Sequence, residues 1–392
     1  MTSEGLFSGV FSRGDAAAAV ADEAWLRAML DFEVALARAC VRANLIPADA
    51  AEGIARAADH AHFDPVAIGR AAGATGNPVV ALLEALRALL DDDASAALHY
   101  GATSQDVLDT AAMLVTKRAL SPILDDAALA AASAAALAAR HRDTAMIGRT
   151  LLQQALPTTF GLKAAVWLSG LDLARRRLAA TADECLAVQL GGAVGTLDGF
   201  GEKGPLVVAE LAGELDLAEP PLPWHVERGR VVALADAAAA LAGAFGKVGR
   251  DVSLLAQNEI GELHEGGEAS GASSTMAHKR NPVASISIVA CAQRVPGLVA
   301  TLHASMLPEL ERAAGSWQAE WGSLSDLLRL TGSAASWGRD LLHHLDVDAD
   351  RMQANLAAAL ERIGGAAPRD GSAVGSASAF IDRALAAHRG GA

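Results

Sequence analysis

The sequence predicts an all-α protein built around a bundle of long helices, and three observations predict it. Hydrophobic residues make up 52% of the 392-residue chain while aromatics reach only 4%, with a single Tyr. A core of Ala, Leu and Val suits close helix–helix packing and fits poorly with a β-sandwich. Runs that alternate apolar and polar residues are almost absent. From about Gly229 to Leu263, the positions Leu234, Ala238, Leu241, Phe245, Val248, Val252 and Leu255 step by four and three, a heptad seam sustained over several turns.

Pro47, Pro65 and Pro78 read as first-turn prolines, the last two behind the N-cap candidates Asp64 and Asn77. Helices are predicted over 16–43, 78–91, 106–118, 122–141, 157–181, 229–263, 283–305 and 321–345. Gly243, Gly246 and Gly249 lie inside the 229–263 helix, where glycine costs stability. They predict the close approach of a neighbouring helix. The string Gly243–Lys247 has neither the spacing nor the preceding strand of a phosphate loop. The length calls for several domains or one elongated bundle. The punctuation suggests an N-terminal helical domain over 1–100, a central long-helix bundle over 101–341, and a short C-terminal helical segment over 342–392.

The formal charge is −14, with no basic tail and no interleaving of aromatics with Lys or Arg, which argues against nucleic-acid binding. Cys40, Cys185 and Cys291 form no CxxC pair and read as small buried apolar residues in a reducing compartment. Met1–Gly5 lacks the basic and apolar regions of a signal peptide, and the alanine-rich run Asp125–Arg140 is too short and too weakly apolar for a membrane span. A soluble cytoplasmic protein with no membrane partner is expected. His60/His62 and His343/His344 lack the carboxylate or Cys spacing of a metal site, so no metal is expected.

Three polar islands interrupt this scaffold. His99-Tyr100-Gly101-Ala102-Thr103-Ser104-Gln105-Asp106 leads into a helix, whose free N–H groups and hydroxyls suit a carboxylate, or plain N-capping. Gly148-Arg149-Thr150-Leu151-Leu152-Gln153-Gln154-Ala155-Leu156-Pro157 places a guanidinium, a hydroxyl and two amides before a proline. Gly271 to Pro282 holds Ser273, Ser274, Thr275, His278, Lys279, Arg280 and Asn281 in a loop-forming context.

In order and separation the three islands resemble the conserved regions of the fumarase/aspartase superfamily, and the resemblance covers nearly the whole chain. Ser273-Ser274-Thr275-Met276 with Lys279 and Asn281-Pro282 is similar to its signature loop, Thr103–Asp106 to its first region, and Gly148–Pro157 to its second. Within the superfamily, His99–Thr110, Pro221–His225 and Glu309–Trp317 resemble the 3-carboxymuconate cycloisomerase family, and adenylosuccinate lyases share less of the detail. The resemblance implies an all-α fumarase/aspartase-like fold with a central long-helix bundle and smaller helical N- and C-terminal domains. It also implies cofactor-free lactonisation of a small polycarboxylate, with fumarate-releasing lyase chemistry as the alternative, and a homotetramer with sites shared between subunits. The apolar seam after Gly229 would otherwise be left exposed.

On that resemblance Ser273 is the catalytic acid/base, Ser274 the competing assignment, and Lys279 the cation that stabilises an aci-carboxylate. Thr103, Ser104, Arg149, Thr150, Gln153, His278, Arg280 and Asn281 are the substrate-binding candidates. The chain departs from the family pattern in three places. Gln154 stands where many relatives carry His, so it orients substrate while His99, His225 or no protein group supplies the acid. Ala277 replaces a proline of the loop. The segment after Leu345 is short, with a Gly/Ser-rich stretch over Ala366–Ser378.

Overall fold

The computed structural model describes residues 5–60, 62–266, 270–272, 280–363 and 374–390. The N-terminal part contains α1 (Ser8–Phe11), α2 (Ala16–Ala19), α3 (Asp22–Arg42), α4 (Ala48–His60), α5 (Pro65–Thr75), α6 (Val79–Arg87) and α7 (Asp92–Ala97). The long helix α8 (Ser104–Arg140) leads into a hairpin of β1 (Ala145–Thr150) and β2 (Gln153–Thr159), and α9 (Phe160–Cys185) runs back. Next come α10 (Gly204–Leu215), α11 (Gly229–Leu255), β3 (Leu263–Glu265), β4 (Ser270–Ala272) and β5 (Arg280–Pro282). The chain ends with α12 (Val283–Ala304), α13 (Ser316–His343), β6 (Leu345–Val347), α14 (Ala349–Ile363) and α15 (Ala377–Gly390). Helices α8, α9, α11, α12 and α13 pack together as the central bundle, so the fold is all-α as expected.

The caps behave as the sequence suggests. Asp64 accepts a hydrogen bond from Val66 N at 2.9 Å, and Asn77 from Val79 N at 3.1 Å. The seam on α11 also packs, but inside the protomer: its seven positions are all between 0% and 5% exposed. That corrects the expectation that this seam needs another subunit to cover it. Two of the glycines explain how α12 comes so close. A Cβ on Gly249 would lie 2.9 Å from Ser285 O, and one on Gly246 would lie 2.8 Å from the Ala292 Cβ, whereas Gly243 has nothing within 4 Å.

The 16–43 stretch divides into α2 and α3, α11 ends at Leu255 and not at 263, and α13 starts at Ser316 and not at 321; two further differences bear on the hairpin and its approach. The break expected before residue 122 does not occur, and α8 continues through Pro122. An interior proline costs about 3 kcal/mol, but Ala119, Leu120, Ile123 and Ala127 on either side are fully or almost fully buried, and their packing outweighs it. Second, Pro157 does not start a helix. It lies in β2 opposite Ile147, beside a register irregularity that tolerates its missing N–H. Helix α9 starts at Phe160, where Thr159 Oγ1 accepts from Leu162 N at 3.1 Å.

By length and composition alone, α8, α11 and α12 are apolar enough to cross a membrane. Yet α8 buries Asp106, Asp109 and Asp126 against protein partners. All three cysteines are buried and unpaired, and burial beside Glu33 pushes the Cys40 thiol up to about 12. Of the stretch 366–378, positions 366–373 lie outside the described residues, while Ala377 and Ser378 open α15.

Candidate active site

The first island is built around one buried carboxylate. Thr103 is the N-cap of α8, and its own N–H donates to Asp106 Oδ2 at 3.0 Å, one arm of a capping box. Asp106, fully buried, also accepts from Gly191 N at 2.9 Å, Gly192 N at 3.0 Å and His225 Nε2 at 2.6 Å. One side chain thereby fixes the start of α8, the 191–192 loop and the segment carrying His225. Thr103 and Ser104 stay partly exposed at the helix N-terminus, where backbone N–H groups favour an anion. Gly101 makes the tight approach possible: its φ is 66°, and a Cβ there would lie 2.7 Å from the Phe200 ring.

A second layer supports the first. Asp109 accepts both Nη groups of Arg228 at 2.9 and 3.0 Å, Gln105 Nε2 at 3.1 Å and Trp317 Nε1 at 3.0 Å. Arg228 also donates to Glu320 through Nε at 3.0 Å. Burial opposes its charge, but the two carboxylates outweigh that and raise its pKa. The segments 221–225 and 309–317, read from sequence only as flanking likenesses, are thus parts of one polar core.

Sequence reasoning missed Arg312. It donates to Gln105 Oε1 at 3.1 Å and Gly192 O at 2.6 Å, and among the described residues no carboxylate pairs with it. Burial pulls its pKa down while Asp106 and Asp109 act the other way. A guanidinium held by neutral groups keeps a charge that no described carboxylate neutralises, which favours an anionic ligand. The one arginine of the 309–317 segment was the available signal.

His99 has φ 61° and places Nδ1 2.7 Å from Glu33 Oε1. Burial opposes its protonation, yet the Glu33 carboxylate prevails and raises its pKa.

The second island forms the β1–β2 hairpin. Arg149 donates to both oxygens of buried Glu262, at 2.8 and 3.0 Å, and Asn355 Nδ2 donates to the same carboxylate at 2.8 Å. Thr150 and Gln153 flank the turn and are exposed, and Gln154 pairs with Arg149 in the hairpin register. The third island follows Glu262 along the chain. Glu265 receives Ala284 N at 3.0 Å and Ser285 N at 2.8 Å, capping α12. Arg280 and Asn281 lie in β5 opposite Ala272 and Gly271. Ser273, Ser274, His278 and Lys279 lie outside the described residues.

Within one protomer the islands therefore fall at two ends of the bundle. The Arg149–Glu262 pair joins the hairpin to the stem of the third island. The first island sits across the whole of α8, whose 37 residues span roughly 55 Å at 1.5 Å each. A single ligand cannot touch both the first and the second island of one chain.

The sequence profile of the lyase family matches residues 13–297. The 3-carboxy-cis,cis-muconate cycloisomerase of Bradyrhizobium diazoefficiens is 47% identical over 343 residues, covering 86% of this chain and 76% of that protein. The nitrosuccinate lyase of Streptomyces davaonensis is 47% identical over 364 residues, covering 90% and 77%. The crystal structure of 3-carboxy-cis,cis-muconate lactonizing enzyme from Pseudomonas putida superposes with a TM-score of 0.90 at 34% identity, covering 98% of this chain and 99% of that one. With this profile, these identities and this fold, the chain belongs to the lyase family of the fumarase/aspartase superfamily.

Proposed function

We propose that the protein is a cofactor-free cycloisomerase that lactonises 3-carboxy-cis,cis-muconate to 4-carboxymuconolactone in cytoplasmic protocatechuate breakdown (the β-ketoadipate pathway). The observation that carries this reading is the likeness to the lactonizing enzyme over essentially the full length of both chains. In the reaction a substrate carboxylate adds across a C=C bond and a proton reaches the carbon beside another carboxylate. The intermediate is an aci-carboxylate, so the barrier is mostly electrostatic, and each preorganised donor contributes about 3–4 kcal/mol.

Lys279 is the proposed cation for that charge and Ser273 the acid/base, with Ser274 competing. Thr103 and Ser104 receive a carboxylate at the N-terminus of α8, and Arg312, hydrogen-bonded to Gln105 in the first turn, adds a cation. Thr150, Gln153, His278, Arg280 and Asn281 bind from the other islands. Arg149, engaged by Glu262, positions the hairpin, and Gln154 orients substrate. The substrate trianion and the −14 chain repel at long range, but beyond about 8 Å physiological salt screens that repulsion and local cations dominate.

The site is assembled from several copies, as a homotetramer. The separation of the islands along α8 supports this, as does the surface of the long helices. Leu129 on α8 and Ile286 on α12 are more than half exposed on one protomer.

The deciding assay is loss of the diene ultraviolet absorbance when the protein meets 3-carboxymuconate; no decay at high enzyme concentration sinks the reading. Ser273→Ala with near-full turnover removes the acid/base assignment, and Lys279→Met with unchanged kinetics removes the charge role. A β-elimination lyase is the second reading, favoured by the equal identity to nitrosuccinate lyase. Release of fumarate or nitrite from a substituted succinate, without diene loss, would select it.

A further inference from the structure

The turn of the β1–β2 hairpin is two residues long, since Thr150 pairs directly with Gln153. A two-residue hairpin turn with positive φ at both central positions is ordinarily made by Asn-Gly or Asp-Gly, because a Cβ is strained there. Here both positions are leucine, at φ 50° for Leu151 and 65° for Leu152. They are also 96% and 74% exposed, with Leu156 on the same hairpin at 73%. The protomer gains nothing from this: the backbone is strained, the side chains meet no core, and the tip would be a better turn without them. Strained residues of this kind persist where function uses them. The tip also sits between Arg149-Thr150 and Gln153-Gln154, the polar groups of the second island.

We infer that Leu151 and Leu152 form the apolar wall of the substrate site completed by a neighbouring copy of this chain, packing on the hydrocarbon span between the substrate carboxylates. This rests on the lactonisation and shared-site reading given above. The carboxylates of a carboxymuconate need cations and amides, but the conjugated carbons between them need a dry, shaped surface. Two consequences follow. The wall keeps water away from the carbon that the internal carboxylate attacks, so ring closure is favoured over hydration. It also selects among substrates, because a succinate carrying a charged or polar leaving group would have to desolvate that group against leucine.

The test uses a variant whose turn is improved. Leu151→Asn/Leu152→Gly installs the preferred turn, so its melting temperature should equal or exceed that of the wild type. Its mass by light scattering should be unchanged, while kcat/KM for 3-carboxymuconate should fall at least tenfold. Leu151→Met/Leu152→Gly relieves the strain at the second position only, keeps an apolar side chain at the first, and should recover most of that loss. Wild-type kcat/KM in the Asn-Gly variant would overturn the inference. So would a smaller mass whose activity loss tracks dissociation, since the tip would then be an assembly contact. If the wild-type protein itself leaves the diene intact, the lactonisation reading falls and the wall with it; an active wild type with an equally active Asn-Gly variant removes the wall alone.

Discussion

Replacing Asp106 by Asn tests how the first island is held. All four groups that meet this carboxylate are donors: Thr103 N and Gly192 N on Oδ2, Gly191 N and His225 Nε2 on Oδ1. An asparagine amide has one accepting oxygen, so either orientation turns its NH2 toward two donors. Two charge-assisted bonds are lost, each contributing about 1.5–3 kcal/mol, and the two that remain lose the charge. The expected cost is about 3–5 kcal/mol, read as a lowered urea midpoint by tryptophan fluorescence at fixed protein concentration. Buried Trp224 beside His225 makes that signal local as well as global. The control is Asp64→Asn, at an exposed N-cap where Asn serves about as well as Asp. A loss below about 1 kcal/mol at Asp106, or one no larger than at Asp64, would refute the reasoning.

The glycines of α11 give a paired prediction. Gly243→Ala should stabilise by up to about 1 kcal/mol through helix propensity, whereas Gly249→Ala should destabilise because its Cβ meets Ser285 O at 2.9 Å; thermal melts showing the same sign for both would contradict the packing described. Gly101→Ala should lower both melting temperature and kcat/KM, and Phe200→Leu in the same chain should recover part of the stability by making room for the Cβ; no recovery would leave the positive φ as the whole cost. His99 has a folded pKa above 6.5 because the Glu33 carboxylate outweighs burial. Its contribution to stability is therefore complete below about pH 6.5 and lost as pH rises through the folded value. In Glu33→Gln the imidazole titration followed by NMR should move down and that pH dependence should flatten; an unmoved titration would remove the pairing as its cause.

The sequence made the all-α bundle legible because Leu234 to Leu255 carry a periodic signal that only a long packed helix satisfies. It also located the islands, because Thr103, Arg149 and Asn281 are polar exceptions in an apolar text. The hairpin escaped because β1 and β2 lack alternation, and its turn uses leucines where turn chemistry asks for Asn and Gly. Pro122 misled because local propensity yields to the burial of Leu120 and Ile123. Asp106, Asp109, Arg228 and Glu320 could not be joined from sequence: more than two hundred residues separate members of one network, and only folding brings them together. The carboxylate partner of Arg149 was illegible for the same reason, since Glu262, which Asn355 also meets, is distant in sequence and adjacent in space.

The unbroken length of α8 has a consequence for how this protein tolerates change. A helix that carries one island at its start and delivers the hairpin just past its end works as a ruler and a protractor at once. Deleting a single residue near its middle would shorten the span by about 1.5 Å and swing everything beyond it by about 100°. The hairpin would then face a different direction although no residue near substrate had been altered. Point substitutions at the exposed middle of α8 should thus be far milder than one-residue insertions or deletions at the same places. The register of this helix is itself part of the catalytic design.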